Sequence, residues 1–95
     1  MNESYWIYIL FCNNNSYYTG FTTHLIKRYR LHLQGKASKY TRSFKPIYLA
    51  QCWNIKGNKS LALKVEQRIK TLSRLEKEKM IADPTLLYQK FFISS

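Results

Sequence analysis

Apolar and aromatic residues come in short bursts separated by polar turns, and the spacing inside each burst predicts an element. Tyr5-Trp-Ile-Tyr-Ile-Leu-Phe-Cys12 is rich in β-branched and aromatic residues at successive positions, the pattern of a strand covered on both faces and central in its sheet. Asn13 to Ser16 is a turn signal, and Tyr17-Tyr-Thr-Gly-Phe21 reads as the returning strand of a hairpin. Leu25, Ile26, Tyr29 and Leu33 recur at helical spacing, which predicts a helix capped by Thr22 or Thr23 and stopped by Gly35. The stretch from Lys36 to Lys45 has no clean period and reads as a basic loop. Pro46 opens a third strand, Ile47 to Asn54, closed by a turn at 56–59. Ala62, Val65, Ile69 and Leu72 mark a second helix with Ser60 as its N-cap. Ser73 and Glu76 stand at capping-box spacing and start a third short helix that ends before Asp83-Pro84. The order β-β-α-β-α-α, without repeat or linker, predicts one α/β domain over residues 1–84: a small three-stranded sheet flanked by helices. Residues 85–95 form an apolar tail whose packing the pattern does not assign.

Composition narrows this further. Ninety-five residues support one modest core, so every functional side chain must share one small scaffold. With 45% hydrophobic and 16% aromatic residues the chain is far from disordered composition and should fold unaided. Met1-Asn-Glu-Ser4 lacks a basic leader, and the apolar run from Tyr5 to Cys12 is too short to span a bilayer, so the expectation is a soluble, cytoplasmic protein with no membrane partner. Cys12 and Cys52 form neither a CxxC pair nor a zinc pattern and read as buried, reduced thiols.

Net charge is +11, from 16 Lys and Arg against 5 Asp and Glu. No acidic residue lies between Glu3 and Glu66, an interval that holds Lys27, Arg28, Arg30, Lys36, Lys39 and Arg42 among others. A field of one sign attracts polyphosphate and makes binding steeply salt-dependent. It names the partner class, DNA or RNA, and leaves the activity open.

Taken in order, Trp6-Ile7-Tyr8, Tyr18-Thr19-Gly20, Lys27-Arg28 with His32, Gly35-Lys36, Lys39-Tyr40-Thr41-Arg42, Ala62 to Glu66 and Leu72-Ser73-Arg74 resemble the GIY-YIG endonuclease superfamily, and within it the short single-domain bacterial branch of YhbQ-like proteins. The likeness runs from Trp6 to about Ile81. It implies a Mg²⁺-dependent endonuclease, with Mn²⁺ as a substitute, that cuts DNA to leave 3′-hydroxyl and 5′-phosphate ends. Branched or damaged DNA, in a DNA repair setting, follows by analogy alone. For residues, it implies Glu66 as the metal ligand, Arg28 as a stabiliser of the transferring phosphoryl group, and a tyrosine as general base, Tyr8 before Tyr18. His32 is then a proton shuttle or phosphate donor.

The residues themselves constrain that chemistry. Phosphodiester hydrolysis needs an activated nucleophile, charge neutralisation at phosphorus and help for the leaving oxygen. Glu66 is the only acidic residue between Glu3 and Glu76, so a site needing several clustered carboxylates cannot be supplied, whereas one magnesium with one carboxylate and several waters can. The plainer alternative makes Glu66 an exposed i to i+4 partner of Lys70. Arg28 and His32, also i and i+4, face one way; here the alternatives are a phosphate anchor and a packing residue. A free phenol with a pKa of about 10 is a poor base at neutral pH, so nearby cations must lower it; otherwise both tyrosines are core aromatics. One geometric condition separates these alternatives. Tyr8 and Tyr18 share a sheet face only if the hairpin loop is odd-numbered or bulged, and a clean four-residue loop at 13–16 puts them on opposite faces. Gly20 either clears space or simply turns the chain.

Lys27, Arg30, Lys36, Lys39, Tyr40 and Arg42 are the candidate nucleic-acid contacts, cations for phosphate and an aromatic for a base, against the alternative of a solvated basic surface. Two departures from the family pattern stand out. Trp6 occupies the first glycine position of the GIY element, and no asparagine follows Asn58 to serve beside the metal. The rival functions are a non-catalytic nucleic-acid-binding module of the same fold and an accessory protein whose apolar tail docks a partner or a second copy, as a homodimer.

Overall fold

The computed structural model describes residues 3–91. Three strands, β1 (Glu3–Cys12), β2 (Tyr17–Thr22) and β3 (Pro46–Gly57), form a sheet in the order β2-β1-β3, with both neighbours antiparallel to β1. The strand predicted to be central is central. Five helices follow the chain around it: α1 (Leu25–Leu33), α2 (Lys39–Ser43), α3 (Lys59–Lys70), α4 (Arg74–Ala82) and α5 (Leu86–Phe91).

Alternation along β1 feeds two cores. Ile7 and Ile9 point into the larger one with Trp53 and Ile55 of β3, Ala62, Val65 and Ile69 of α3, Met80 of α4 and Leu87 of α5. Tyr8, Leu10 and Cys12 point to the other face, against Leu25 and Tyr29 of α1 and Tyr18, Leu49 and Cys52 of the flanking strands. The β1–β3 register slips between Ile9 and Leu10 and again between Phe11 and Cys12, so β3 is bulged at its start.

The hairpin turn carries the most consequence. Cys12 N–H donates to Ser16 O at 2.9 Å, Asn15 N–H donates to Cys12 O at 3.0 Å, and Asn15 takes a left-handed φ of 65°. The loop is therefore Asn13-Asn14-Asn15, three residues, with Ser16 already opposite Cys12. Asparagine tolerates the left-handed region better than other non-glycine residues, which lets the odd-numbered loop close. The resulting register pairs Tyr8 with Gly20 and Leu10 with Tyr18, so Tyr8 and Tyr18 lie on one face.

Several local expectations need correction. The first helix is capped at His24 with no side-chain bond; Thr22 instead accepts from His24 N–H at 3.1 Å within the preceding turn. Ile26 is 61% exposed and Leu33 is exposed, because the buried stripe of α1 runs through Leu25, Tyr29 and His32. The supposed basic loop contains α2, whose N-cap Ser38 accepts from Thr41 N–H at 3.1 Å. Asn58, not Ser60, caps α3, accepting from Leu61 N–H at 2.9 Å. The capping box of Ser73 and Glu76 is present as expected. Cys12 is buried, Cys52 only partly, and both are free thiols.

The start of the tail and the segment just before it pack against the rest of the domain. Trp53 Nε1–H donates to Pro84 O at 2.9 Å, Gln51 Nε2–H donates to Ile81 O at 3.0 Å, and Leu87 is fully buried in the larger core. Lys90 meets Glu76 at 3.3 Å. Of the apolar tail residues, Phe92 and Ile93 lie outside the described residues.

Candidate functional site

Tyr8 is 2% exposed, and its ring lies across the backbone of its cross-strand partner Gly20. A Cβ at position 20 would stand 2.4 Å from the phenol oxygen and 2.6 Å from the ring carbon that bears it, closer than atoms can pack. Gly20 is therefore the gap through which Tyr8 reaches the β2 side of the sheet, and it sits within β2, not at a turn. Only a residue without a side chain leaves that path open.

Across this gap stands His32 of α1. Its Nε2 is 2.7 Å from Tyr8 Oη, and its ring makes edge contacts with both motif tyrosines, at centroid distances of 5.5 Å to Tyr8 and 5.2 Å to Tyr18. The end of α1 is pinned just beyond it. Gly35, at φ 74°, lets its own N–H bond His32 O at 3.1 Å while Lys36 N–H bonds Leu31 O at 2.8 Å, a Schellman closure. His32 Nδ1 lies 2.7 Å from Thr41 Oγ1, which is itself 2.8 Å from Ser38 Oγ. Both His32 and Thr41 are fully buried.

This environment sets protonation. Burial, with a smaller contribution from the Arg28 charge, lowers the His32 pKa to about 4, so the imidazole is neutral at pH 7. Burial pushes Tyr8 up to about 12, with the nearby Tyr18 and Glu66 adding to the rise and outweighing the opposing hydrogen bond and charge of Arg28. Of the cations expected to lower the Tyr8 pKa, Arg28 acts in that direction, and desolvation of the phenolate outweighs it.

Arg28, one turn before His32, is half-buried. One Nη–H of its guanidinium reaches Ala37 O at 3.5 Å, while its Nε is buried with no acceptor among the described residues. A buried guanidinium donor without an acceptor is costly unless an anion supplies one. The same arginine lines a hollow of about 270 Å³ with Thr22, His24, Lys27 and Leu31. Lys27 thus lines the same hollow as Arg28.

Glu66 projects from the inner side of α3 between Val65 and Ile69 and is 6% exposed. Lys70 Nζ approaches its carboxylate at 3.6 Å. The i to i+4 pair therefore exists, yet the glutamate is not the solvated partner that the plainer alternative required. Its charge adds a small part to the rise in the Tyr8 pKa, which burial dominates. Among the described residues no three His, Cys, Asp or Glu side chains cluster.

The remaining candidates divide. Lys36, Lys39 and Arg42 line one hollow of about 240 Å³ with Gly35, Ala37 and Ser38, next to the Thr41–His32 contact. Arg30 is exposed on α1 two positions from Arg28, roughly 200° round the helix, and points away from the others. Tyr40 is occupied differently from expectation: its ring stacks on Tyr18 at 5.9 Å, and its hydroxyl bonds Ser16 and accepts from Asn14 Nδ2 at 3.0 Å. It clamps α2 to the hairpin turn. Trp6, at the motif's first glycine position, lines a separate hollow with His24, Ile26 and Lys27. A hollow of about 660 Å³ along the outer side of α3 contains none of the candidate residues. Sequence reasoning missed the roles of Thr41 and Ser38. Their one local signal is a serine three residues before a buried threonine, easily lost in a helix of five residues.

Comparison with known proteins agrees with the likeness seen in the motifs. The sequence profile of the GIY-YIG catalytic domain matches residues 4–79. A UPF0213 protein of Bacillus velezensis is 40% identical over 81 residues, covering 85% of this chain and 81% of the relative. Another, from Natronomonas pharaonis, is 38% identical and covers 90% of this chain and 99% of its own length. The solution NMR structure of the UPF0213 protein from Bacillus halodurans is 35% identical and superposes with a TM-score of 0.53, covering 99% of this chain and all of that one.

Proposed function

The chain belongs to the GIY-YIG family, whose catalytic domain is a nuclease domain, and from that premise we propose that it is a Mg²⁺-dependent endonuclease hydrolysing phosphodiester bonds in DNA, branched or damaged DNA in particular. The observation that carries the proposal is the juxtaposition of an acceptor-less, buried Arg28 Nε with the Tyr8–His32 hydrogen bond, an anion site beside a proton-transfer pair. That combination suits a scissile phosphate and its attacking water better than it suits simple phosphate anchoring.

In this mechanism Arg28 accepts the phosphate into the hollow it shares with Lys27 and neutralises charge that builds on the non-bridging oxygens. Tyr8, a neutral phenol at pH 7, does not act as a free phenolate. Its oxygen takes the proton of the attacking water as its own proton passes to His32 Nε2, 2.7 Å away, so neither phenolate nor hydroxide stands free. The water oxygen bonds to phosphorus, the P–O3′ bond breaks, and the leaving 3′ oxygen is protonated from solvent, leaving 3′-hydroxyl and 5′-phosphate ends. Tyr18 packs against the imidazole and holds its orientation. Glu66 fits a hard divalent cation: a single, nearly buried carboxylate suits Mg²⁺, or Mn²⁺ in its place, which keeps most of its waters and tolerates few protein ligands. When bound, such an ion supplies further neutralisation of the phosphate charge.

Lys36, Lys39 and Arg42 would grip flanking phosphates. Among the described residues no helix is long and apolar enough to cross a membrane, which accords with a cytoplasmic site of action on nucleic acid. Incubation with supercoiled plasmid and with four-way-junction DNA, in Mg²⁺ and in EDTA, tests the proposal. Metal-dependent nicking is expected. Tight binding without nicking in either buffer would assign the chain instead to the non-catalytic binding modules of this fold.

A further inference from the structure

The hydrogen bonds around His32 can be followed proton by proton, and they close in only one way. Arg28, whose charge acts on Tyr8, can donate a hydrogen bond but has nothing to accept with. Tyr8 must therefore donate its hydroxyl proton elsewhere, and among the described residues the acceptor in reach is His32 Nε2 at 2.7 Å. A neutral imidazole that accepts at Nε2 carries its proton on Nδ1. That Nδ1–H points at Thr41 Oγ1, 2.7 Å away, which in turn has Ser38 Oγ at 2.8 Å to receive its own proton. Ser38 is held in place because it also caps α2, accepting from Thr41 N–H at 3.1 Å. The reverse assignment, with Thr41 donating to Nδ1 and Nε2–H donating to Tyr8, leaves the buried Tyr8 hydroxyl proton without an acceptor among the described residues, an arrangement that buried polar groups avoid.

We infer that Thr41, backed by Ser38, is a positioning residue that fixes His32 in its Nδ1–H tautomer and so keeps Nε2 free to receive the Tyr8 proton. The inference deepens the nuclease proposal and rests on it only for its catalytic consequence; the tautomer itself is independent of any activity. It also gives the short helix α2 a purpose. Ser38-Lys39-Tyr40-Thr41-Arg42 places the tautomer lock, the clamp on the hairpin and two of the basic side chains on a single turn.

The test uses the full chain labelled with ¹⁵N. Long-range proton–nitrogen correlation of the His32 ring at pH 7 should show a protonated Nδ1 and an unprotonated Nε2. Thr41→Ser keeps the hydroxyl and should preserve both this pattern and cleavage. Thr41→Val removes it and should yield the Nε2–H form or a mixture, with kcat for DNA cleavage down on the order of 10–100-fold, the range for losing an orienting partner, and KM little changed. A wild-type Nε2–H tautomer overturns the inference, as does a Thr41→Val protein that retains the wild-type pattern. Should Thr41→Val fail to fold, the wild-type spectrum and Thr41→Ser still decide. If the wild-type protein cleaves nothing while Nδ1 is protonated, the nuclease proposal falls and the tautomer assignment stands.

Discussion

Substituting Gly20 by alanine tests the close approach on which the site depends. The added Cβ would lie 2.4 Å from Tyr8 Oη and 2.6 Å from the carbon beneath it, against about 3.4 Å or more for ordinary contact. Tyr8 is 2% exposed and cannot swing into solvent without opening the core around Leu10 and Cys12, so its ring must shift within packed surroundings. Overpacking of this kind costs about 1–3 kcal/mol, and loss of the buried 2.7 Å bond to His32 adds about 1–2 kcal/mol. Gly20→Ala should thus destabilise by about 2–5 kcal/mol, even though alanine is otherwise better than glycine inside a strand. Urea unfolding followed by circular dichroism measures this, and a double-mutant cycle isolates its cause. In a Tyr8→Leu background the obstructing phenol is gone, and Gly20→Ala should cost less than about 0.5 kcal/mol. An equal cost in both backgrounds refutes the reasoning, for it would mean that the glycine is needed by something other than Tyr8. Activity should fall along with the contact, by about 100-fold for a displacement of about 1 Å.

Other predictions address the electrostatics. Arg28→Lys keeps the charge and loses the fork, so cleavage should fall about 100-fold, nearly as far as in Arg28→Ala; a lysine variant within threefold of wild type would reduce Arg28 to an anchor. His32 is kept neutral down to about pH 4, whereas the unfolded chain protonates it near 6.5. Its contribution to stability is therefore fully present above pH 6.5 and declines as pH falls toward 4, by on the order of 2–3 kcal/mol. Urea midpoints from pH 7 to 4.5 should drop more steeply for wild type than for His32→Gln, and parallel lines would contradict this. Replacing Lys36, Lys39 and Arg42 together by alanine should lower the slope of log affinity against log salt by about 3, and an unchanged slope would remove that hollow from the DNA path.

Much of the fold follows from strong local patterns. The aromatic and β-branched run from Tyr5 to Cys12 identifies the central strand, and Ser73 with Glu76 identifies the start of α4. Competing local signals were harder to resolve. Asn58 and Ser60 are both good caps, and the choice turns on which side chain meets a free N–H three residues on, a matter of a single bond to Leu61. Helix α2 has five residues, fewer than two turns, so no periodicity could reveal it. Ile26 and Leu33 fit the helical period but not the buried stripe, because His32, a polar residue, occupies the inward position.

At the site, residue types and order were legible, while their contacts were not. Whether Tyr8 and Tyr18 share a face depended on one residue, Asn15, adopting a positive φ. Tyr40 reads as a base platform from composition, yet its hydroxyl is engaged by Asn14 and Ser16, 26 and 24 positions away. The rise in the Tyr8 pKa comes mainly from burial, which no motif encodes.

On the proposed mechanism, Glu66 supports metal-dependent cleavage from a scaffold that binds DNA independently. Nicking of supercoiled plasmid by wild type and Glu66→Gln, with binding measured in parallel in EDTA, tests it most directly. Wild type is expected to nick in Mg²⁺ and Glu66→Gln to be slower by roughly 100-fold or more, with DNA affinity within about threefold of wild type. Nicking by Glu66→Gln at the wild-type rate would contradict it.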